Sequence, residues 1–183
     1  MNDLAALPTF VNDGSIHVVV ETPRGSSAKL KYDPHLRVMT LSRPLTLGLT
    51  YPYDWGFVPS TRGPDGDPLD AMVMWDGRSY PGVVLPCKPL GLLCVEQENR
   101  ESHRRERNDR LVMLPVPAPR SDAIRTVFDL AERVRVELEQ FFLTAVAFEG
   151  KHLTMRGWAG PDDAISLIRA SLATGQANAP IPR

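Results

Sequence analysis

The chain of 183 residues is poor in cysteine, in long apolar runs and in net charge. Its two cysteines, Cys87 and Cys94, lack the paired spacing of a zinc site, so we interpret them as core residues in a reducing compartment. No apolar run approaches the ~18 residues that a transmembrane helix needs. Lys and Arg total 21 against 22 Asp and Glu, so a general binder of nucleic acid or anionic membranes is not expected. These absences favour a cytoplasmic protein.

What the sequence does have is turn residues, with 17 prolines and 13 glycines, between short apolar runs. Ile16–Glu21 is β-branched and predicts a strand, and the turn pair Asp33-Pro34 predicts a hairpin between Leu30–Tyr32 and Arg37–Leu41. Four further runs predict strands, while 50–70 is too irregular for one element. The four runs are 71–75, Gly82–Cys87, Leu90–Glu96 and Leu111–Val116. Their spacing of about 8–12 residues is typical of a small barrel or sandwich.

Two helices are predicted near the end of the sequence. Ser121 is the expected N-cap of a long helix whose apolar positions recur from Ile124 to Phe142. After a short strand at His152–Trp158, Gly160-Pro161 begins a second helix that extends to about Ala173. We expect one domain over 1–183, with a lead-in at 1–14, an arginine-rich inserted loop at 97–110 and a loose tail at 175–183. The inserted loop is interpreted as a solvated hairpin, with local anion binding as the alternative.

The segment DGDPLD places three carboxylates, Asp65, Asp67 and Asp70, within six residues. Gly66 and Pro68 bend the backbone, so the carboxylates can converge on one point and repel each other. A hard cation is the usual way to offset such repulsion, and all-oxygen ligands favour Mg²⁺ or Mn²⁺ over zinc. An acidic surface turn explains the same residues equally well.

Three further charged residues favour the cation site. Glu21, Lys31 and Arg43 lie in or beside neighbouring predicted strands, from which each can point into one barrel mouth. Carboxylates, a divalent ion, lysine and arginine together suit a polyphosphate group, because the metal bridges oxygens and the cations neutralise the remaining charge. Each of these cations taken singly is more typical of a protein surface.

The stretches VVVETPRGSSAKLKYDP, TYPYDWGFVP and DGDPLDAMV, with Arg43 between the first two, resemble the family I soluble inorganic pyrophosphatases. The resemblance is clear over about 16–117 and weaker over the helices. It implies an α+β fold, a small OB-like closed β-barrel with two flanking α-helices. It also implies Mg²⁺-dependent hydrolysis of diphosphate to two phosphates, with Mn²⁺ as a substitute, in a homo-oligomer.

The resemblance also implies roles for single residues. Asp65 and Asp70 match metal ligands, with Asp70 bridging two ions about 3.5–4 Å apart that together lower the pKa of a shared water. Asp67 matches the carboxylate beside that water and is the expected general base and a further metal-site residue. The remaining matches are Lys31 and Arg43 as diphosphate-binding cations, Tyr51 as an active-site hydroxyl and Glu21 as an acid at the mouth.

Several positions depart from the family pattern. Trp55 stands where the family has tyrosine, Asp54 where it has asparagine, and Arg110 where it has lysine. One family aspartate is Gln97 here or has shifted to Glu96 or Glu98, and another is Asn108 or has moved to Asp109. The Tyr-Lys pair that the resemblance places late in the long helix is Ala145-Val146. We hypothesise that Arg104, Arg105 or Arg107 replaces its phosphate contacts.

Three functions therefore remain open from the sequence. An inorganic diphosphatase follows from the intact DGDPLD segment with Lys31, Arg43 and Tyr51. A hydrolase of an organic diphosphate or phosphate ester would explain Trp55, Ala145 and Val146, since an indole and apolar side chains suit an apolar leaving group. A non-catalytic phosphate-binding protein would explain the altered aspartates.

Overall fold

The computed structural model describes residues 3–98, 105–116, 118, 120, 121, 123–150 and 152–172. It contains nine strands and two α-helices within those ranges. The strands are β1 (Ile16–Thr22), β2 (Ala28–Asp33), β3 (Val38–Pro44), β4 (Asp54–Phe57), β5 (Asp70–Val73), β6 (Val84–Glu98), β7 (Arg105–Arg107), β8 (Arg110–Pro115) and β9 (Thr154–Ala159). The helices are α1 (Glu132–Ala145) and α2 (Pro161–Ala170).

Five strands form a ring in the order β1-β4-β5-β8-β6, and β6 pairs back onto β1. Only the β5–β8 pair in this ring is parallel. Strands β7 and β9 extend the ring from β6, while β2 and β3 form a separate two-stranded hairpin. This arrangement agrees with the expected OB-like barrel with flanking helices.

Strand β6 corrects one prediction, because the two runs expected as separate strands form a single strand of 15 residues. The pairing of β6 with β8 shifts register between Pro89 and Gly91. This shift accommodates the proline, which has no N–H to donate to the hydrogen bonds between the strands. Gly91 has φ +150°, and a Cβ there would lie 2.2 Å from the carbonyl oxygen of Ala159. The turn-forming residues therefore make a bulge within the strand and do not end it.

The region 50–70 is not one element, as expected, but it contains a buried strand, β4, that was not predicted. Gly56 has to be glycine in this strand, because a Cβ would lie 1.8 Å from the carbonyl oxygen of Val19 on β1. Because the strand is short and contains a glycine, it does not show the alternation of apolar and polar residues that would predict a strand.

The long helix was predicted to begin at Ser121 and begins instead at Glu132. A 3₁₀-helix at Val127–Asp129 precedes it, capped by the Thr126 side chain, and Leu130 then returns to an extended conformation. The apolar spacing from Ile124 thus spans two elements. Helix α2 begins at Pro161 as expected but ends at Ala170, three residues before its predicted end, and the expected tail at 175–183 lies outside the described residues.

The expected lead-in and inserted loop are both partly structured. Leu4–Ala6 form a 3₁₀-helix, and Leu4, Ala5 and Leu7 pack against the cluster of Val19, Tyr32 and Phe57. Two ends of the inserted loop pair as a hairpin, with Gln97 opposite Glu106 and Glu98 opposite Arg105. Residues 99–104 between them lie outside the described ranges.

The apolar core has two main parts. Helix α1 packs Phe141 and Phe142 against one side of the ring, beside Tyr51 and Trp55. Helix α2 places Ala164 and Ile168 in a second cluster with residues of β1, β6 and β8. Both helices thus pack against the ring of strands and stabilise it. Within the described ranges, neither helix is long and apolar enough to cross a membrane.

Candidate active site

A cavity of about 180 Å³ lies between β2, the loop before β5 and the start of β8. The predicted site residues Glu21, Lys31, Asp65, Asp67 and Asp70 all line it. Its wall also includes residues that were not predicted to bind substrate or metal. These are Ala5, Lys29, Tyr32, Pro34, Phe57, Pro68, Asn108 and Arg110.

The loop before β5 is folded by its own hydrogen bonds. The Gly63 N–H donates to the Asp67 carbonyl at 2.7 Å, and the Asp67 N–H donates to Asp65 Oδ1 at 3.2 Å. Gly66 has φ +84°, a left-handed conformation that favours glycine. The tight turn between Asp65 and Asp67 is what brings both carboxylates to one cavity, as the DGDPLD segment predicted.

Each aspartate of the cavity has a different polar partner. Lys31 Nζ donates to Asp67 Oδ2 at 2.7 Å, and Asn108 Nδ2 donates to Asp65 Oδ2 at 2.9 Å. Arg110 forms an ion pair with Asp70. The acids that line the cavity are therefore hydrogen-bonded or ion-paired to donors from β2 and from the start of β8.

The carboxyl groups of the cavity are electrostatically strained. Burial raises the pKa of Asp65, and the charges of Asp70 and Asp67 raise it further. Burial also raises the pKa of Glu21 to about 7, although the Tyr32 N–H donates to its carboxylate at 2.7 Å. For Lys31, burial disfavours the ammonium, but the hydrogen bond to Asp67 and neighbouring acids outweigh burial and raise the pKa. The site therefore favours positive charge.

The donor set fits a hard divalent cation. Asp65, Asp67 and Asp70 offer only oxygen ligands, and their mutual repulsion is what a bound cation would relieve. Within the described part of the chain, no three acidic, histidine or cysteine side chains already converge tightly enough to hold one ion. Lys31 and Arg110 offset part of the repulsion, and a divalent cation would offset more.

Two predicted site residues lie outside the cavity wall. Tyr51 is buried beside a different hollow, with its ring 5.2 Å from that of Phe141, and burial raises the pKa of its hydroxyl. Arg43 lies in a neighbouring hollow beside Ala145 and Phe148, and its Nε is 3.5 Å from Glu149 Oε1. The structure does not bring these two side chains into contact with the three aspartates.

The structure locates the departures among the family aspartates. Asn108 lines the cavity, whereas Asp109 points away and accepts hydrogen bonds from the Val95 N–H and from Arg107. Glu96 pairs with Arg156 at 2.7 Å, and Gln97 is buried. At this position of the cavity wall, the side chain present is therefore the amide of Asn108 and not the carboxylate of Asp109.

Trp55 and Arg110 are in contact with each other. The Arg110 guanidinium lies 5.6 Å from the centre of the Trp55 ring, and its Nη1 donates to Asn108 Oδ1 at 2.6 Å. Trp55 is buried, and its Nε1 has no hydrogen-bond partner among the described residues. The indole therefore supports Arg110 from the core side and does not line the cavity.

The arginines proposed to replace Ala145-Val146 do not line the cavity where they are described. Arg105 donates to Thr154 Oγ1, and Arg107 forms an ion pair with Asp109. Arg104 lies outside the described residues. Lys29, which the sequence analysis missed, does line the cavity. Its position two residues before Lys31 on one strand is the signal that would have found it.

Comparisons with known proteins agree with this geometry. The profile of the Pyrophosphatase family, described as inorganic pyrophosphatase, matches residues 18–176. The inorganic pyrophosphatase of Thermus thermophilus is 36% identical over 179 residues, covering 94% of this chain and 98% of that protein. That of Synechocystis is 32% identical over 166 residues, covering 91% of this chain and 95% of that protein.

Solved structures show the same likeness. The crystal structure of the Thermus thermophilus inorganic pyrophosphatase superposes with a TM-score of 0.85 at 34% identity, covering 93% of this chain and 97% of that one. The structure of the Helicobacter pylori inorganic pyrophosphatase gives 0.79 at 26% identity, with 93% and 94% covered.

Proposed function

The chain belongs to the inorganic pyrophosphatase family, and we propose that the cavity of Asp65, Asp67 and Asp70 is where it hydrolyses diphosphate to two phosphates. The reaction depends on a divalent metal, which we propose to be Mg²⁺ with Mn²⁺ as a substitute. The observation that carries the site assignment is that Asp65, Asp67 and Asp70 line one cavity together with cations that include Lys31 and Arg110.

The cations of the cavity would bind and orient diphosphate. Lys31 and Arg110 can donate to phosphate oxygens, and charge-assisted hydrogen bonds of this kind are the strong ones. A divalent cation held by the aspartates would polarise phosphate oxygens and water. Arg43 would contribute from the neighbouring hollow once its contact with Glu149 is released.

Asp67 is the proposed general base. Its side chain is 58% exposed, so water can reach the carboxylate, which Lys31 holds from one side. Water attacks one phosphorus atom, its proton passes to Asp67, and the bond from that phosphorus to the bridging oxygen breaks to release the second phosphate. Tyr51, kept protonated by its raised pKa, would act as a hydroxyl donor near Asp70, and Glu21 would support Lys31.

Phosphate release from diphosphate with Mg²⁺, and separately with Mn²⁺, tests this proposal. We expect Asp67→Asn and Asp70→Asn to lower kcat by 10²-fold or more, since a positioned general base contributes about 10²–10⁴-fold. Asp76→Asn, at an exposed aspartate outside the cavity, is the matched control and should keep wild-type turnover. Full turnover in Asp67→Asn would refute its role as base.

The alternative of an organic substrate is not supported by the position of the residues that suggested it. Trp55 and Ala145 are buried in the core cluster with Phe141 and Phe142. Neither of them lines the cavity of the three aspartates. We further propose a cytoplasmic homo-oligomer, for which the exposed side chains of Leu47 and Phe148 offer apolar contact area.

A further inference from the structure

A buried acid lies between two residues of the cavity wall, in the short segment that joins β7 to β8. Asn108 and Arg110 line the cavity, whereas the Asp109 carboxylate faces Val95 and Arg107. Successive side chains of an extended chain point to opposite sides, which accounts for this alternation. The Asp109 side chain is only 6% exposed, and a carboxylate buried to this extent needs polar partners.

The first partner of Asp109 is the backbone of β6. Strands β7 and β8 both pair with β6, and the pairing is interrupted at Asn108 and Asp109. Within the interruption, the Asn108 N–H donates to the Val95 carbonyl at 2.8 Å. The Val95 N–H donates in return to Asp109 Oδ1 at 2.9 Å, where a regular antiparallel pair would offer a backbone carbonyl. The side chain of Asp109 thus takes the place of a backbone acceptor.

The second partner of Asp109 is an arginine at the surface. Arg107 Nη2 donates to Asp109 Oδ2 at 2.5 Å, and the Arg107 side chain is 62% exposed. Hydrogen bonds between charged groups are stronger than those between neutral groups. Both oxygens of the carboxylate are therefore engaged, and the side chain cannot turn without breaking one of these contacts.

The two neighbours of Asp109 both contact the catalytic aspartates. Asn108 Nδ2 donates to Asp65 Oδ2 at 2.9 Å, and Arg110 forms an ion pair with Asp70. Arg110 also donates to Asn108 Oδ1 at 2.6 Å. Both side chains project from the segment that Asp109 connects to β6, so a movement of this segment would displace them together.

We infer that Asp109 is a positioning residue that acts on diphosphate binding through Arg110. Its hydrogen bond with the Val95 N–H keeps the segment against β6, and the Arg110 guanidinium is thereby held beside the aspartates, where a phosphate group would bind. This inference rests on the proposed function, because that function makes Arg110 a ligand of diphosphate. An acid that served stability alone would not change how the folded protein binds substrate.

Steady-state kinetics with diphosphate and Mg²⁺ separate positioning from stability. We expect Asp109→Ala to raise KM about tenfold and to leave kcat within about threefold, since displacing a binding group by about 1 Å can cost up to about 10²-fold. A purely structural defect would instead reduce the amount of folded enzyme, and so lower kcat at an unchanged KM. Asp109→Asn keeps an oxygen acceptor for the Val95 N–H and should return KM to within about threefold of wild type.

Asp129→Ala is the matched control for Asp109→Ala. The Asp129 carboxylate also accepts hydrogen bonds from backbone N–H groups, those of Arg125 and Thr126, but it does not line the cavity. This variant loses the same kind of contact and should keep the wild-type KM. If Asp109→Ala fails to fold, Asp109→Ser, which keeps a polar group at the site, replaces it in every assay.

A double-mutant cycle tests whether Asp109 acts through Arg110. In an Arg110→Ala background, we expect Asp109→Ala to raise KM by less than about twofold, because residues of one hydrogen-bonded network have non-additive effects. An unchanged KM in Asp109→Ala alone would overturn the inference. So would a rise of about tenfold that persists when Arg110 is absent.

A readout without substrate keeps this inference separate from the proposed function. The Arg110 guanidinium lies 5.6 Å from the centre of the Trp55 ring, so the ¹H–¹⁵N signal of the Trp55 indole reports its position. We expect this signal to shift in Asp109→Ala and to stay in place in Asp129→Ala, and an unshifted signal in Asp109→Ala would contradict the positioning role. A wild-type protein without turnover would refute the proposed function, and the indole signal would still decide whether Asp109 positions Arg110.

Discussion

The carboxyl group of Glu21 couples the cavity to the stability of the barrel. It is buried at the end of β1, and burial raises its pKa to about 7 from an ordinary value of 4.5. The folded state therefore binds this proton more tightly than the unfolded state does. As the pH rises from about 4.5 to about 7, folding loses on the order of 3 kcal/mol from this one group.

Replacing Glu21 by glutamine should remove that loss. We expect the free energy of unfolding of Glu21→Gln, measured by urea denaturation with a chelator present, to exceed that of wild type progressively from pH 5 to pH 8. The glutamine oxygen can still accept from the Tyr32 N–H, so the local structure should survive. A difference between the two proteins that stays constant over this pH range would contradict the pKa assignment.

Three of the residues that depart from the family pattern, Trp55, Asn108 and Arg110, form one contact group at the cavity. Arg110 lies over the Trp55 ring, donates a hydrogen bond to Asn108 Oδ1 and pairs with Asp70, while Asn108 also donates to Asp65. Replacing lysine by the planar guanidinium suits this geometry, because arginine can stack on an aromatic face and donate in two directions. The departures are therefore mutually compatible.

Sequence reasoning could group the three aspartates of the cavity because they lie close together in the chain. One local turn brings Asp65, Asp67 and Asp70 together. Glu21 and Lys31 could be placed because they lie on short strands that the sequence predicts. The position of Arg43 could not be predicted, because it depends on a register shift in the β2–β3 hairpin, where Lys29 pairs with Arg43 but Leu30 pairs with Leu41. It also depends on Glu149, which comes from a distant segment. The choice between Asn108 and Asp109 likewise needed the register of β6 against β8.

Strand β4 depends on close approach to its neighbour β1. A Cβ on Gly56 would lie 1.8 Å from the Val19 carbonyl oxygen, so the two strands would have to separate. We expect Gly56→Ala to cost about 3 kcal/mol or more, the range of severe core and backbone defects. The measurement is urea denaturation followed by circular dichroism.

Gly160→Ala provides the control for that substitution. Gly160 has φ −79° and no atom within 4 Å of an added Cβ, so we expect a change below about 1 kcal/mol. Similar losses in both variants would show that the clash at β4 is not the cause.

The elements that the sequence predicted well are those with a clean local pattern. β-Branched residues marked β1, and Asp33-Pro34 marked the β2–β3 hairpin, although both of its strands are longer than expected. The missed strand β4 is short and fully buried. The start of α1 was misplaced because the apolar spacing runs through a separately capped 3₁₀-helix at Val127–Asp129.

At the scale of the whole molecule, the near-neutral charge hides a concentration of acids. Glu21, Asp65, Asp67 and Asp70 face one cavity, and their repulsion opposes folding until cations balance it. A divalent cation that binds only the folded protein should therefore stabilise it. At a concentration about 100 times its Kd, the gain is about 2.7 kcal/mol.

Addition of Mg²⁺ should raise the melting temperature by about 5–10 °C, given a shift of about 2–4 °C per kcal/mol for a protein of this size. The double variant Asp65→Asn/Asp70→Asn should lose most of this increment, because two of the oxygen ligands are neutralised. Asp76→Asn should keep it. An equal Mg²⁺ increment in wild type and in the double variant would place the cation elsewhere.

The pairing of strand β6 has a consequence for how the protein unfolds in solution. It pairs with β1, β8, β9 and β7 along its length, so none of these four strands can detach without breaking hydrogen bonds of β6. Amide hydrogens at its buried centre, such as that of Leu92, should exchange with solvent only when the whole barrel unfolds. The exchange rate of this single strand then measures the stability of the entire molecule, while the cavity loop before β5 can exchange independently.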